Sequence, residues 1–414
     1  MPVVKLAEQA KEFGEFYVPR FEVHAEGTAV PEAIIRDVMQ VTYRDSIKEI
    51  DSFELTVGNW DSTSRRFKYI DSEADKTLSA ESRATLEKLR YSLFEPCARE
   101  FELKLGYGST LTSMTKANVT TLEPNFSASG PPTLTVRALN VLHRLRDKQR
   151  SRHWPNLRDN VRRDSQIAKS IDTLIDPATK RKLPVRVSKT ALTRETPLEY
   201  VAQDNQYDID FLFTRARNAG YVVYIDSEKK PDGKVEEFLY FGPSDERHPR
   251  IRDVIYELEW GISLMDFKPI LSTAKQVKSV EVRSLDHQTN KAIRTKVNLK
   301  DPRIVVNRDL LPLLAQPGCQ PREEIVSNEP QPTPQQAERR ALAILSDRLK
   351  EMVTAQGTTV GLPDLRAGQR VRIKGVGKHF SGTYFVTETT HTLADSGYTT
   401  RFNARREDHL AEEE

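Results

Sequence analysis

The run Gly375-Val376-Gly377-Lys378-His379 most invites a chemical reading, because Gly-Lys is how a phosphate-cradling loop enters its helix. The spacing refuses it. Such a loop needs a glycine five residues earlier and a Ser or Thr after the lysine, and Arg372 and His379 stand there. Gly106-Tyr107-Gly108 lacks the third glycine of a dinucleotide fingerprint, since Leu111 occupies its place. His379 and His391 come without an HExxH or paired-cysteine spacing, so they read as structural or surface histidines. There is no GxSxG elbow for a serine nucleophile. Among 60 Asp and Glu residues none forms a pair that stands out as an acid/base couple. No catalytic, cofactor-binding or metal residue is assigned, no cofactor is implied, and the chain reads as a non-enzyme.

One polyanion signal exists. The stretch 144–163 carries Arg150, Arg152, Arg158, Arg162 and Arg163 around Trp154, although Asp147 and Asp159 interrupt it. The whole chain balances 63 basic against 60 acidic residues, which gives no global nucleic-acid signature. Specific nucleic-acid binding is not expected; the run reads first as a solvated face, and contact with an acidic protein neighbour comes second. Cys97 and Cys319 lie far apart and predict no disulfide framework. No apolar run approaches the ~20 residues of a membrane span. The first residues mix Lys, Glu and Gln with apolar ones and lack a signal-peptide core. Synthesis and folding in the bacterial cytoplasm are expected, without membrane insertion.

The elements that hold these residues alternate between β and helical texture. Over 21–146 the chain reads as short strands. Phe21-Glu22-Val23-His24 opens one, and a strand over 47–57 turns Phe53, Leu55 and Val57 inward. Further strands are expected at 101–105, 119–122 and 133–139, as in a barrel or sandwich. From 143 to 243 the texture becomes helical. Asp164 is expected as an N-cap before a stripe of Ile167, Ala168, Ile171, Leu174 and Ile175. Thr196-Pro197-Leu198-Glu199 has the form of a capping box opening a helix that Gly220 closes. Two β runs, 221–226 and 237–241, follow around Pro231-Asp232-Gly233. Strands return over 256–299. Residues 310–334 hold six prolines and read as an extended surface linker. A helix is expected with Ala337, Ala341, Leu342, Leu345, Leu349 and Met352 on one face, for domain packing or a trimer core. Three closing strands are predicted at 370–374, 383–393 and 398–405. In the last, Tyr398, Thr400, Phe402 and Ala404 share one face, and Thr399, Arg401, Asn403 and Arg405 the other.

The closing stretch resembles the C-terminal end of the phage late control D family, the baseplate hub proteins of contractile tails and contractile injection systems. The resemblance rests on Leu365-Arg366-Ala367-Gly368, the Gly375-Val376-Gly377 turn, the strand from Phe380 through Gly382 and Tyr384 to Thr387, His391, and the closing Gly397-Tyr398-Thr399-Thr400-Arg401-Phe402. The stretch 208–243 similarly resembles a segment shared with VgrG spike proteins. The resemblance implies an α+β, β-rich fold with two tube-like β-barrel domains and a helical α+β insert. The expected boundaries are 1–146 for the first barrel, 147–250 for the insert, 251–305 with 362–406 for the split second barrel, and 306–361 for linker and helix. It implies a homotrimeric adaptor joining a sixfold inner tube protein to a threefold central spike, alongside other baseplate proteins in a virion or injection particle. With no spike domain found after Arg406, the spike is expected as a separate polypeptide. Family-motif and interface candidates are Gly375, Gly377, Phe380, Gly382, Tyr384, His391, Gly397, Tyr398, Arg401 and Arg405. The alternative is a tail-tip cell-wall-binding or muralytic protein.

Overall fold

Alternating apolar and polar residues become paired strands here wherever a short polar turn lets the chain return. The computed structural model describes residues 3–6, 18–63, 65–70, 92–156, 160–171, 173–176, 181–189, 195, 197–230, 235–244, 255–286, 290–316, 318–319, 322–327, 331 and 333–408. The fold is α+β and rich in β structure. In the N-terminal half, strands β1 (Pro19–Ala25), β2 (Val38–Ser46), β3 (Ser52–Gly58), β4 (Glu100–Tyr107), β5 (Thr110–Asn125) and β6 (Thr133–Asn140) pair antiparallel in the order β2-β3-β6-β5-β4-β1. In the C-terminal half, β7 (Ile255–Glu259), β8 (Leu264–Leu271), β9 (Val353–Val360), β10 (Arg370–Lys374), β11 (Gly382–Ala394) and β12 (Gly397–Arg406) run β7-β10-β11-β12-β9-β8.

One strand joins the halves. Along a single edge, β11 pairs first with β10, as in Val371↔Tyr384, and then with β2, as in Arg44↔Thr390. A register shift between Val386 and Glu388 separates the two partners, and β12 lines the opposite edge throughout. The bulge re-aims the strand, so that it serves two differently oriented neighbours.

The insert between the halves packs helices α1 (Asp164–Ser170) and α2 (Asp208–Ala219) on the hairpin Tyr221–Lys229 and Val235–Pro243. Gly220 closes α2 with a left-handed φ of 70°. Helix α3 (Pro334–Lys350), capped by Thr333, buries Ala337, Ala341, Leu345 and Leu349 against a separate small sheet of Val277–Asp286, Lys291–Asn298 and Arg322–Val326. Its apolar stripe is therefore domain packing within the chain.

Five expectations need correction. Residues 47–51 form a turn, not the start of a strand, because Ser46 and Asp51 bond the local backbone. The N-cap position of α1 is Arg163. Asp164 instead accepts from Arg215 and Arg339, while Glu195 reaches over to take the Ser165 N–H at 3.1 Å. Leu174 and Ile175 lie in a strand (Leu174–Asp176), since the residue before Pro177 disfavours the helical region. Pro197 to Tyr200 are not helical. The Leu198 N–H is held by the Arg162 carbonyl, and helix α2 starts only at Asp208; Thr196 lies outside the described residues. The proline-rich stretch is more than a linker. Leu310 and Leu314 are buried, and Arg322–Val326 pairs in parallel with Val277–Asp286. The strands of 277–298 consequently belong with that small sheet and α3, not with the second β half. The Pro231 turn and residues 287–289 fall outside the described residues.

Candidate assembly site

Between β9 and β10, both strands of the C-terminal half, residues 361–369 pass against the N-terminal half, and here the structure gathers a dense buried polar network. Gly361 admits this passage because the Tyr398 ring lies where a side chain would begin. Tyr107 of β4 donates its hydroxyl to the Gly361 carbonyl at 2.9 Å. Arg366 then spreads its guanidinium over the Tyr43 ring at 4.7 Å. Its N–H groups reach the carbonyls of Met114 at 3.0 Å, Ser113 at 3.1 Å and Pro363 at 2.8 Å. A planar fork suits three divergent carbonyls in a way an ammonium does not. Next, the Ala367 N–H donates to the buried Asp45 carboxylate at 3.0 Å, and Thr389 of β11 donates its hydroxyl to the same carboxylate.

His391 closes the network and is fully buried. Its Nε2 lies 3.0 Å from the Leu365 carbonyl, which can only accept, so Nε2 carries the proton. Nδ1 therefore accepts, with the hydroxyls of Tyr398 at 3.0 Å and Thr400 at 3.1 Å beside it. The Thr400 hydroxyl in turn takes the Leu362 N–H at 2.8 Å. Burial, and then the charge of Arg366, hold the imidazole well below its ordinary pKa, so it is neutral. Burial pushes the Tyr398 hydroxyl well above its ordinary value.

This predicts acid sensitivity. The unfolded chain binds a proton near pH 6.5 that the folded network refuses, so stability is lost as pH falls through and below that value. At pH 5.5 the loss should be about 1.4 kcal/mol. Thermal melts at pH 7.5 and 5.5 should show a smaller difference for His391→Gln than for the native chain. Equal differences would refute the assignment. His143, lowered chiefly by burial, acts in the same sense and remains in the variant.

Of the expected positions, only His391 and Tyr398 meet in this network. Tyr384 is buried against Phe267, with its hydroxyl on the Phe380 carbonyl at 2.7 Å. Gly382, at φ 138°, sits under the Arg406 guanidinium. Gly375 and Gly377 form the exposed β10–β11 turn, and Gly397 the β11–β12 turn. Arg401 is exposed and bonds Gln356, while Arg405 is tied to Glu407 at 2.6 Å. His379 is exposed. Sequence reading missed Tyr43, Asp45, Tyr107, Thr389 and Thr400. Arg366 lay inside the quoted Leu-Arg-Ala-Gly run and was not singled out; an arginine between apolar residues was the available signal.

The basic run is largely answered from within. Arg146 meets Asp210 at 2.7 Å, and Arg150 and Arg152 both meet the buried Asp208. Trp154 is core, stacked on Phe211; Arg158 lies outside the described residues. Among the described residues there is no cluster of three or more His, Cys, Asp or Glu able to hold a metal ion, and no helix long and apolar enough to cross a membrane.

Residues 82–395 match the family model of the Alg8 N-terminal domain. No curated protein matches the sequence. Among solved structures, the chain superposes on the 43 kDa tail protein of prophage MuSo2 from Shewanella oneidensis with a TM-score of 0.58 and 13% identity, covering 94% of this chain and 98% of that one. The tail protein of Neisseria meningitidis MC58 gives 0.59 and 14% identity, with coverage of 94% and 97%. An E. coli component of the type VI secretion system, described as structurally similar to T4 bacteriophage tail proteins, gives 0.50 and 13% identity over 93% of this chain and 76% of that one. At these identities the likeness is one of fold, the fold of phage tail proteins.

Proposed function

The chain belongs to the family of the Alg8 N-terminal domain, and from its tail-protein fold we propose that it is a structural baseplate hub. In this reading it is a homotrimer that joins a sixfold inner tube to a threefold central spike. The observation that carries it is the pairing of two β halves, one antiparallel and one mixed, each with its own buried core, through the shared strand β11. Each half would act as one tube-like barrel. Three chains then present six similar units towards a tube, while their inserts and small sheets repeat only three times towards a spike. The joint at 361–369 sets the angle between the two units of one chain, which is what a ring of six must hold constant. The named tail proteins among its structural relatives support the same role, and the buried network is built for cohesion, with no group placed for substrate chemistry.

Native mass spectrometry tests the assembly. The expected species has three times the 47.3 kDa of one chain, and tube and spike proteins should bind its opposite faces. A stable monomer or dimer at micromolar concentration that binds neither protein would overturn the proposal.

A further inference from the structure

Followed from one hydrogen-bonded neighbour to the next, a single antiparallel run of ten strands passes through both halves in the order β8-β9-β12-β11-β2-β3-β6-β5-β4-β1. Its two ends do not meet. Among the described residues β8 pairs only with β9, and β1 only with β4 and the two-residue return Thr28–Ala29. That return covers His24 and Ala25, and the Val30 N–H takes the Val23 carbonyl, so the outer edge of β1 is open over residues 19–22. Pro269 lies within β8, as proline does on the margin of a sheet.

Open edges attract other strands, and these two match one another. Both cores lie on one side of the run. On β12, Tyr398 packs into the N-terminal core, while Phe402 and Ala404, from the same face, pack into the C-terminal one. On that side Phe267 and Leu271 of β8 and Phe21 of β1 are only half-buried, because the sheet stops beside them. The other side of β8 shows Lys268 and Ile270, the latter 54% exposed, and that of β1 shows Arg20 and Glu22. Glu22 is held by Arg20 at 2.7 Å, and its carboxylate has acceptor capacity left for an ammonium. Setting Glu22 opposite Lys268 in an antiparallel pair brings Phe21 to Pro269, Arg20 to Ile270 and Pro19 to Leu271. Unlike charges then face each other and the Arg20 stem covers Ile270. A slip of one residue would set apolar side chains against polar ones. Two copies of β8 paired about residue 268 would set lysine against lysine. Ten is even, so β1 of one copy meets β8 of the next with the alternation of strand directions unbroken.

We propose that residues 268–271 of one copy pair antiparallel with residues 19–22 of the next, and that this head-to-tail contact closes the trimer. The contact rests on the homotrimer proposed above and assigns its interface. Each copy offers one edge of each kind, so three contacts close a ring with no edge left over.

Cysteine pairing in the full chain tests the contact, in a background carrying Cys97→Ser and Cys319→Ser. A chain with Glu22→Cys and Lys268→Cys should give disulfide-linked dimers and trimers on mild oxidation. Either substitution alone should give none, and Arg20→Cys with Lys268→Cys, out of register by two, should link several-fold less. Independently of any disulfide, Lys268→Glu should weaken the trimer several-fold in native mass spectrometry, and adding Glu22→Lys should restore it. Covalent dimers from Lys268→Cys alone would overturn the proposal, since β8 would then meet itself, and so would a disulfide confined to one chain. A trimer that forms but neither cross-links nor responds to the charge swap overturns this contact and leaves the hub reading standing. A native chain that stays monomeric removes both.

Discussion

Arg366→Ala should destabilise the chain by about 3–5 kcal/mol, the range for removing a buried charged donor that satisfies several groups at once. The cost has identifiable parts. The carbonyls of Ser113, Met114 and Pro363 lose their shared donor, and Tyr43 loses the cation over its ring. Because the side chain ties 361–369 to β5, its loss should also uncouple the two β halves. Calorimetry should then resolve an early transition that the native protein lacks. Arg366→Lys keeps the charge without the fork and should recover less than half of the loss. A melting temperature within about 1 °C of the native value would show that the joint is not held by this residue.

Glu407→Gln should cost a similar amount, by a different route. Glu407 is fully buried and accepts from Arg405 at 2.6 Å and Ser244 at 2.8 Å, with the Lys350 ammonium 3.9 Å away. Burial alone would raise its carboxyl, but the charges of Lys350 and Arg405 and the Ser244 hydroxyl prevail and bring it down to about 2. A neutral amide leaves the buried Lys350 and the part-buried Arg405 without this counter-charge, a loss of about 3–5 kcal/mol. The pH signature distinguishes this from mere repacking. A carboxyl whose folded pKa is depressed contributes stability above its unfolded value, near 4.5, and loses it as pH falls towards 2. The native chain should therefore weaken across that window, and the variant should show a shallower slope there. Parallel pH curves, or a loss under about 1 kcal/mol at neutral pH, would contradict the burial of a working charge pair.

How much of this was legible in the sequence follows from the range over which each feature is encoded. The closing strands were readable because their period of two and their glycine turns are local, and the predicted inward face of Tyr398, Thr400, Phe402 and Ala404 is buried as a set. Helix α3 was readable for the same reason. Local polar residues misled where they had remote employment. Asp164 looked like a cap and serves two arginines from α2 and α3, while Glu195, 30 residues away, makes the bond to Ser165. The joint itself was invisible. Asp45 and Ala367 are 322 residues apart, and nothing in either neighbourhood announces the other.

The handover along β11 leaves the two halves with a common ruler. A slip of β12 or β2 against it by two residues would preserve which side chains face inward, yet would misplace both halves together. Length changes within 382–394 are thus forbidden twice over. Tension applied to one half travels to the other along a continuous backbone instead of through a peelable contact, so the pair responds to load as one rigid link.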